Sequence, residues 1–510
     1  MKYLLNLTLF VIGIRCVAAP LIQPPVKAII APGTLSSTSA TVVWNKPELY
    51  KNITRYQVLL NGKQLSSSTK SYYDITGLKP STRYVVTLRS EGSDGEFSDD
   101  TQPVIFTTRA AGKTINITDF GAKGDGITLN TRAIQQAINA CPEWGTVRIP
   151  AGTFLSGAIF LKSHMTLQID KNGVLKGSTS DADYLPMINN RFEGWELPTY
   201  ASLINAGKMD HNGGYSVEGL AIKGEGTIRG GGGALGKTMI DKHGIRSRDR
   251  LILMMNCKDV EIQGLQIENP PCWTIHYLYS KGVSLHDLNI NTVGIANGDG
   301  IDPDSSDDSY IFNCTFATGD DCIAIKSGKN PEGNRINRPT RNVVITDCNF
   351  VRGHGISIGS EMSGGVSDVL VRDCKAGALL HGLQIKGTKE RGGYVKNVVV
   401  ADCELQQITI FSALNYNNDG AAAPTMPTFE NFVFRNIDLS HAPLKEPVID
   451  INGFPDSEHR LKNVTFANIT LPNQAKVNVK DALNINFEAV KTLSGNRPLY
   501  VVSNSAEVHY

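Results

Sequence analysis

The sequence has little net charge and few cysteines. Its 510 residues carry 50 Lys and Arg against 49 Asp and Glu, a formal charge of +1. With no long basic tract, the chain lacks the electrostatic footprint of a nucleic-acid partner. Nine cysteines in so long a chain are too few for a disulfide scaffold, and no Cys-x-x-Cys spacing suggests zinc. No apolar run beyond the first residues is long enough to span a membrane.

The first 19 residues have the pattern of a secretory signal peptide. Basic Met1-Lys2 precedes the apolar stretch Leu4–Ile14, and small residues follow at Val17–Ala19. We therefore expect a secreted or periplasmic protein that is free of the membrane once residues 1–19 are removed. Cleavage leaves 48 basic and 49 acidic residues, a net charge of −1, and eight cysteines. An uncleaved anchor or a lipoprotein signal is the alternative.

Residues 24–109 differ from the rest of the chain. Alternating apolar runs at Ala40–Trp44, Tyr56–Leu60 and Tyr84–Leu88 are separated by turn residues, which predicts a small antiparallel β-sandwich. The segment resembles a fibronectin type III domain, with Trp44 at the core tryptophan and Leu78–Tyr84 at the later corner. We expect Trp44 in the core and a spacer role for the module, with carbohydrate binding as the alternative.

A repeated unit occupies much of the remaining chain, 113–510. Each copy is a short apolar strand followed by a polar pair, and successive copies start 23 to 34 residues apart. The copies begin at Val260, Val283, Tyr310, Val343, Val369, Val398, Phe432 and Val464. Stacked units of this length bury a continuous core. The prediction is an all-β protein, a right-handed parallel β-helix preceded by the sandwich.

Four of the cysteines recur at one position of consecutive units: Cys314, Cys348, Cys374 and Cys403. We interpret this column as a stack of small buried side chains, each acting as a hydrophobe. The sequence leaves the pairing of Cys257 with Cys272, or of Cys314 with Cys322, undecided.

Carboxylates gather in one stretch of the repeats. Asp299 lies 21 residues before Asp320-Asp321, close to the shorter coil lengths, so a solenoid would stack them on one face. Such a cluster should hold one carboxyl protonated to unusually high pH. A protonated acid beside an ionised base suits glycosidic cleavage. His354 lies in the next coil and Lys386 in the one after.

Other acidic residues in this stretch have a second interpretation. Asp302, Asp304, Asp307 and Asp308 are as readily explained by turns, or by Ca²⁺ binding through several oxygens.

Four short motifs carry a resemblance to a known family. They are Asn297–Asp299, Gly319–Asp321, Gly353–Gly355 and Gln384–Lys386, and together they resemble the polygalacturonases of glycoside hydrolase family 28. The resemblance covers roughly residues 113–480. It departs at Gln384, where the family has an arginine that binds the substrate carboxylate, so bidentate recognition is lost there.

The resemblance implies roles for these residues. Asp320 would be the general acid, Asp299 and Asp321 would activate the attacking water in an inverting reaction, and His354 would assist. No metal or cofactor is implied. A polyanionic pectate or oligogalacturonide substrate would be bound locally, because the net charge is near zero. The implied substrate-binding residues are Asn297, Asp302, Lys326, Gln384, Lys386 and Arg391, with Arg391 a hypothetical substitute for the missing arginine.

Two further features resemble the exo-acting bacterial members of the family. A fibronectin type III module precedes the solenoid, and residues 194–206 and 246–250 look like insertions that close one end of the cleft. We expect release of digalacturonate from the non-reducing end by a monomeric enzyme. The alternatives are an endo-polygalacturonase, a xylogalacturonan hydrolase, a Ca²⁺-dependent pectate lyase and a non-catalytic adhesin. Product length and the tolerance of methyl-esterified or xylose-substituted substrates stay open.

Overall fold

The computed structural model describes residues 22–412 and 420–510. The predicted signal peptide, 1–19, lies outside the described residues. The chain divides into two compact units. The first contains the residues up to Ile30, Val42–Asp74 and Arg83–Thr107, and the second contains Ala31–Thr41, Ile75–Thr82 and Thr108–Tyr510.

The N-terminal strands form two antiparallel sheets. A three-stranded sheet contains Val26–Ile30, Ala40–Asn45 and Tyr72–Ile75, and a four-stranded sheet contains Lys63–Ser68, Ile53–Leu60, Arg83–Gly92 and Val104–Thr107. Trp44 of the first sheet meets Tyr56 of the second edge to face, with ring centroids 5.4 Å apart. Both rings are buried, which confirms the prediction that Trp44 is a core residue.

The rest of the chain is a parallel β-helix, as predicted. One long sheet has 14 strands, each paired in parallel with the strand one coil away. Its strands are Thr114–Asn116, Gly145–Ile149, Met165–Ile169, Val217–Gly224, Cys257–Gln263, Lys281–His286, Asp307–Phe312, Thr340–Thr346, Val366–Arg372, Tyr394–Glu404, Thr428–Asp438, Leu461–Leu471, Ala482–Thr492 and Ala506–His509.

The remaining coil strands pair in parallel in a second continuous system. They are Asp125–Leu129, Gly152–Ser156, Ile159–Leu161, Gly173–Gly177, Ile204–Gly207, Thr227–Arg229, Ile252–Met255, Gln266–Glu268, Ile275–Leu278, Asn289–Asn291, Ile301–Asp304, Thr315–Ala317, Ile323–Ile325, Asn349–Ile358, Lys375–Gly387, Ile408–Ser412, Ile449–Asn452, Lys476–Lys480 and Leu499–Ser503. This system carries the motif residues.

Short elements decorate the coils. The α-helices are Thr131–Ala140, Gly232–His243 and Glu332–Ile336; the 3₁₀ helices are Ile117–Phe120, Asp181–Tyr184 and Ile245–Ser247; and an antiparallel hairpin joins Ile188–Phe192 to Trp195–Thr199. The first helix buries Ile134 and Ile138, four residues apart on one face. Within the described residues, no helix has the length and apolarity needed to cross a membrane.

The core is built from columns of identical register. Ile262, Leu285, Ile311 and Ile345 align across four neighbouring strands, and all four are fully buried. The predicted cysteine column is likewise buried. Its members and the other cysteines of the described range are free thiols, so neither of the disulfides left undecided by the sequence forms here.

Asparagine and aspartate repeat at the coil turns. Asn397, Asn431 and Asn463 each have a positive φ of 56° to 63°, the left-handed conformation that asparagine tolerates because its side chain bonds locally. Asn463 Nδ2 donates to Asn431 Oδ1, and Asn431 Nδ2 donates to Asn397 Oδ1. A ladder of asparagine side chains therefore links successive turns of this solenoid.

Candidate active site

One register position of the second sheet system collects the candidate catalytic groups. Parallel pairing aligns Ile301 with Ile323, Ile323 with Ile356, and Ile356 with Leu383. The residues two positions before these four are Asp299, Asp321, His354 and His381. Because neighbouring strands lie about 4.8 Å apart, successive members of this column lie side by side. The 21-residue spacing predicted this stacking; the register shows that Asp321 is the mate of Asp299, with Asp320 one residue earlier.

The two glycines of Gly353-His354-Gly355 are required by the backbone. Gly353 has a φ of +132° and Gly355 a φ of +89°, conformations that side chains disfavour. A Cβ on Gly355 would lie 2.1 Å from the carbonyl oxygen of Gly382, and one on Gly353 would lie 2.0 Å from Thr318 Oγ1. The motif therefore lets His354 approach the preceding coil, where its amide donates to the carbonyl oxygen of Asp320.

His354 and Asp320 form a close acid–base couple. His354 Nδ1 lies 2.9 Å from Asp320 Oδ1, and Asn297 Nδ2 donates to Asp320 Oδ2 at 3.4 Å. Burial alone would raise the pKa of Asp320, but the hydrogen bond and the charge of His354 outweigh it, so this pKa lies below its usual range. The same hydrogen bond raises the pKa of His354. The two groups therefore titrate as a pair, in which the imidazole holds the shared proton more strongly than the carboxyl group does.

A second acidic group surrounds the buried ammonium of Lys326. Lys326 Nζ lies 3.5 Å from Asp299 Oδ2, 3.4 Å from Asp302 Oδ1 and 3.7 Å from Glu361 Oε2. Burial, together with repulsion from Asp302, raises the pKa of Asp299 well above its usual value. Burial also raises the pKa of Asp302, to about 7, although Lys326 opposes the shift. The predicted carboxyl that keeps its proton is therefore found in this group.

Asp321 lies between these two groups. Ser357 Oγ donates to Asp321 Oδ1 at 2.7 Å, and Lys386 Nζ lies 3.5 Å from Asp321 Oδ2. Asp321 thus accepts a hydrogen bond and faces an ammonium beside the acid couple, and glycosidic cleavage requires a second carboxyl group in such a position.

A small pocket opens above these groups. Its lining comprises Phe192, Glu193, Trp273, Asn297, Asp299, Asp320, Asp321, Lys326, Gly359, Ser360, Glu361 and Lys386. Phe192 and Glu193 belong to the hairpin Ile188–Thr199, which reaches the site from the N-terminal coils. The hairpin is anchored by Arg191, whose Nη1 donates to the buried Asp304 at 2.7 Å.

The basic segment 246–250 also meets the site. Arg246 Nε donates to Glu193 Oε2 at 2.9 Å, and Arg248 Nη2 donates to Asn297 Oδ1 at 3.0 Å. The guanidinium of Arg250 stacks over the rings of Phe192 and Trp273 at 4.2 and 4.4 Å. Neither segment that the sequence suggested as an insertion lines the pocket: Phe192 and Glu193 precede residues 194–206, and residues 246–250 contact these two side chains and Asn297.

Three of the predicted substrate-binding residues do not line this pocket. Arg391 is fully buried, and its guanidinium donates to the Ser360 carbonyl oxygen and to Asn330 Oδ1 at 2.9 and 2.7 Å. The idea that it replaces the motif arginine is therefore wrong in this structure. Asp302 is also fully buried, beneath Lys326. Gln384 lines a neighbouring groove instead.

Several site residues escaped the sequence analysis. Glu361, Trp273 and Phe192 have no motif of their own, and the hairpin that brings Phe192 is distant in sequence. Of these three residues, Trp273 could have been found from the strand register. Trp273 lies two residues before Ile275, which pairs with Ile301, so it belongs to the column of Asp299.

Three side chains at the Asp320–His354 couple lie close enough together to bind one metal ion. Asp320, Asp321 and His354 each offer one ligand atom, and these atoms lie within 4.8 Å of one another. Two carboxylates and an imidazole suit a divalent transition metal better than Ca²⁺, which prefers six to eight oxygens. Chelation therefore has to be part of any functional test.

Two regions of the chain match the models of known protein families. Residues 142–489 match the model of glycosyl hydrolases family 28, and residues 24–107 match that of the fibronectin type III domain. The chain belongs to glycosyl hydrolases family 28. The family 28 segment contains all four motifs and every residue of the pocket, and the chain is accordingly a glycoside hydrolase.

Several family 28 proteins align with most of the length of this chain. An exo-poly-alpha-D-galacturonosidase of Dickeya chrysanthemi is 28% identical, covering 91% of this chain and 90% of its own. The family 28 exopolygalacturonase structure of Yersinia enterocolitica has a TM-score of 0.83 at 26% identity, covering 96% of this chain and 98% of its own. An endo-polygalacturonase of Pectobacterium parmentieri is 28% identical over 70% of this chain and 88% of its own.

Proposed function

We propose that this protein is an exo-acting polygalacturonase that hydrolyses α-1,4-galacturonosyl bonds of pectate with inversion. The observation that carries the proposal is the cluster at the small pocket, where the Asp320–His354 couple, the Asp321 carboxyl group and the Lys386 ammonium lie next to one another. The exo-acting relatives, which match this chain nearly end to end, support it. Endo-polygalacturonase is the second candidate, since an endo-acting relative matches the solenoid.

In this proposal Asp320 protonates the glycosidic oxygen, using the proton that it shares with His354 at 2.9 Å. A polyanionic substrate beside Asp320 would raise the pKa of its carboxyl and draw the shared proton toward it. Asp321 would take the proton of the attacking water. Asp299, held toward its protonated form by burial, would orient the same water. Inverting enzymes generally hold the acid and base carboxyls about 6.5–9.5 Å apart to admit that water, whereas one oxygen of Asp320 lies within 4.8 Å of one oxygen of Asp321. The anomeric configuration of the first product therefore tests the proposed inversion.

Binding of a galacturonate carboxylate falls to Lys386 in this proposal. Its ammonium lies 3.5 Å from Asp321 Oδ2 and lines the pocket. Lys326 lies among three carboxylates, so its charge is already offset and it would chiefly keep Asp299 and Asp302 compatible with burial. Since Arg391 lies outside the pocket, a single ammonium would replace the bidentate arginine of the family motif.

The exo assignment rests on the wall formed by residues 188–199 and 246–250. Phe192 and Glu193 occupy the side of the pocket that faces the N-terminal coils, where an endo enzyme needs an open groove for further sugars. We place the non-reducing end of the chain against this wall and the remaining polymer toward the C-terminal coils.

The test is an assay on polygalacturonate with and without EDTA. New reducing ends without ultraviolet absorbance of an unsaturated product, unaffected by EDTA, are the expected result. An unsaturated product that requires Ca²⁺ would identify a lyase instead. Loss of hydrolysis in EDTA would assign the Asp320–Asp321–His354 group to a metal, and binding of pectate without turnover would indicate an adhesin.

We further propose that the chain is exported and acts as a monomer. The basic and apolar pattern of residues 1–19 supports export. Mass spectrometry of the protein recovered outside the cytoplasm should find a mature N-terminus near residue 20, and sedimentation should give the mass of one chain. An intact N-terminus in the membrane fraction would contradict export.

A further inference from the structure

A second, larger groove shares a strand with the catalytic pocket. This groove has a volume of about 900 Å³ and is lined by His381 and Gln384 of the strand that also carries Lys386. Parallel pairing aligns Lys386 with Phe411, Phe411 with Asn452, and Asn452 with Lys480. The floor of the groove is therefore the same side-chain row that supplies Lys386, carried toward the C-terminal coils in steps of about 4.8 Å.

The chemistry of that row changes directly after Lys386. The next position is an aromatic ring, Phe411, where a second cation would serve an anionic polymer. Apolar carbon from Leu380, Pro443 and Pro455 also lines the groove. The side chain of Leu380 is 61% exposed, so it offers apolar surface to a ligand in the groove.

Fixed charge in the groove does not favour an anionic polymer either. Its described lining carries the two lysines Lys445 and Lys480 against three carboxylates, Glu446, Asp450 and Asp481. Burial lowers the pKa of His381, so this imidazole adds no positive charge at neutral pH. Each free galacturonate in this groove would thus meet a net negative lining, whereas a methyl ester would meet apolar carbon.

We propose that the groove beyond Lys386 binds methyl-esterified galacturonate residues on the leaving side of the scissile bond. The enzyme would then prefer substrates that have a free carboxylate in the pocket at Lys386 and methyl esters on the residues in the groove. This rests on the proposed function, which places the rest of the polymer toward the C-terminal coils. The side-chain row shared with Lys386 and the charge of the described lining together favour this occupant over a bare polyanion.

The test uses two tetragalacturonides that differ only in methyl esters on the two residues nearest the reducing end. The expected result is a kcat/KM at least as high for the esterified substrate, with the free-acid substrate gaining relatively as salt screens repulsion. The variant Leu380→Lys should shift the ratio roughly fivefold toward the free acid, the size of one exposed ion pair. Leu493→Lys is the matched control, since Leu493 is also 61% exposed and lies outside the described lining.

Three outcomes would overturn the proposal. A tenfold lower kcat/KM for the esterified substrate, or equal effects of the two lysine variants, would remove its basis. A preference for xylose-bearing or acetylated residues over the methyl esters would assign the groove to another substituent. Absence of hydrolysis for both tetragalacturonides would instead refute the proposed function, and so the two failures are distinguishable.

Discussion

Replacement of Lys326 by methionine should destabilise the β-helix in a pH-dependent way. Its ammonium lies 3.4–3.7 Å from three buried carboxylates. One such contact is worth about 4 kcal/mol at an effective dielectric constant of about 20, and desolvation of the lysine offsets much of the sum. Breaking a buried ion pair costs about 3–5 kcal/mol, which we take as the expected loss at pH 8.

The pH dependence follows from Asp302. Its pKa is about 7 with Lys326 present, above the unfolded value of about 3.9, so the folded state binds the extra proton and stability falls as pH rises through the folded pKa. Removing Lys326 raises this pKa further. The part of the Lys326→Met deficit that comes from Asp302 should therefore be small near pH 5, where Asp302 is protonated in both proteins, and grow between pH 6 and 8. The part that comes from Glu361 persists at pH 5, because Lys326 lowers the pKa of Glu361 against the effect of burial.

Urea unfolding of the variant and the parent protein at several pH values measures this deficit. Lys237→Met serves as the control, because Lys237 pairs with Asp241 on the surface with its side chain 74% exposed, and a surface pair contributes about 0–1 kcal/mol. A deficit that is independent of pH, or no larger than that of the control, would refute the account of the buried group.

Three further predictions concern the acid couple and its surroundings. Asp320→Asn should lower kcat by about 10²–10⁴-fold with an unchanged thermal midpoint, as measured by steady-state kinetics beside melting curves; full activity would exclude Asp320 as the acid. The activity of the parent protein should fall as pH rises past the raised pKa of His354, and pH–rate profiles of His354→Gln should lose that alkaline limb. Arg391→Ala should lower the thermal midpoint because it deletes a fully buried guanidinium, and a raised KM at normal stability would restore its discarded substrate role.

The β-helix could be predicted from the sequence because each stacked coil repeats the same pattern of apolar residues. Apolar strands recurring every 23 to 34 residues can bury their faces only against copies of themselves, and the cysteine column followed from the same periodicity. The proximity of Asp299 to the Asp320–Asp321 pair was likewise predictable from coil length.

The sequence could not predict how deeply individual side chains are buried or where the loops between coils lie. Arg391 and Lys386 are only five residues apart, yet Lys386 ends a strand at the pocket, whereas the turn after that strand directs Arg391 into the protein. Asp302 follows Asp299 by three residues and lies beneath Lys326. The pocket wall at Phe192 comes from a hairpin more than 100 residues before Asp299, and no local pattern encodes such a contact.

Chromatography of the earliest products from polygalacturonate shows whether the pocket takes one chain end. We expect one short product, digalacturonate, from the first time point, while the remaining polymer stays long and its viscosity falls slowly. A ladder of mixed oligomers at low conversion, with a rapid fall in viscosity, would contradict this expectation.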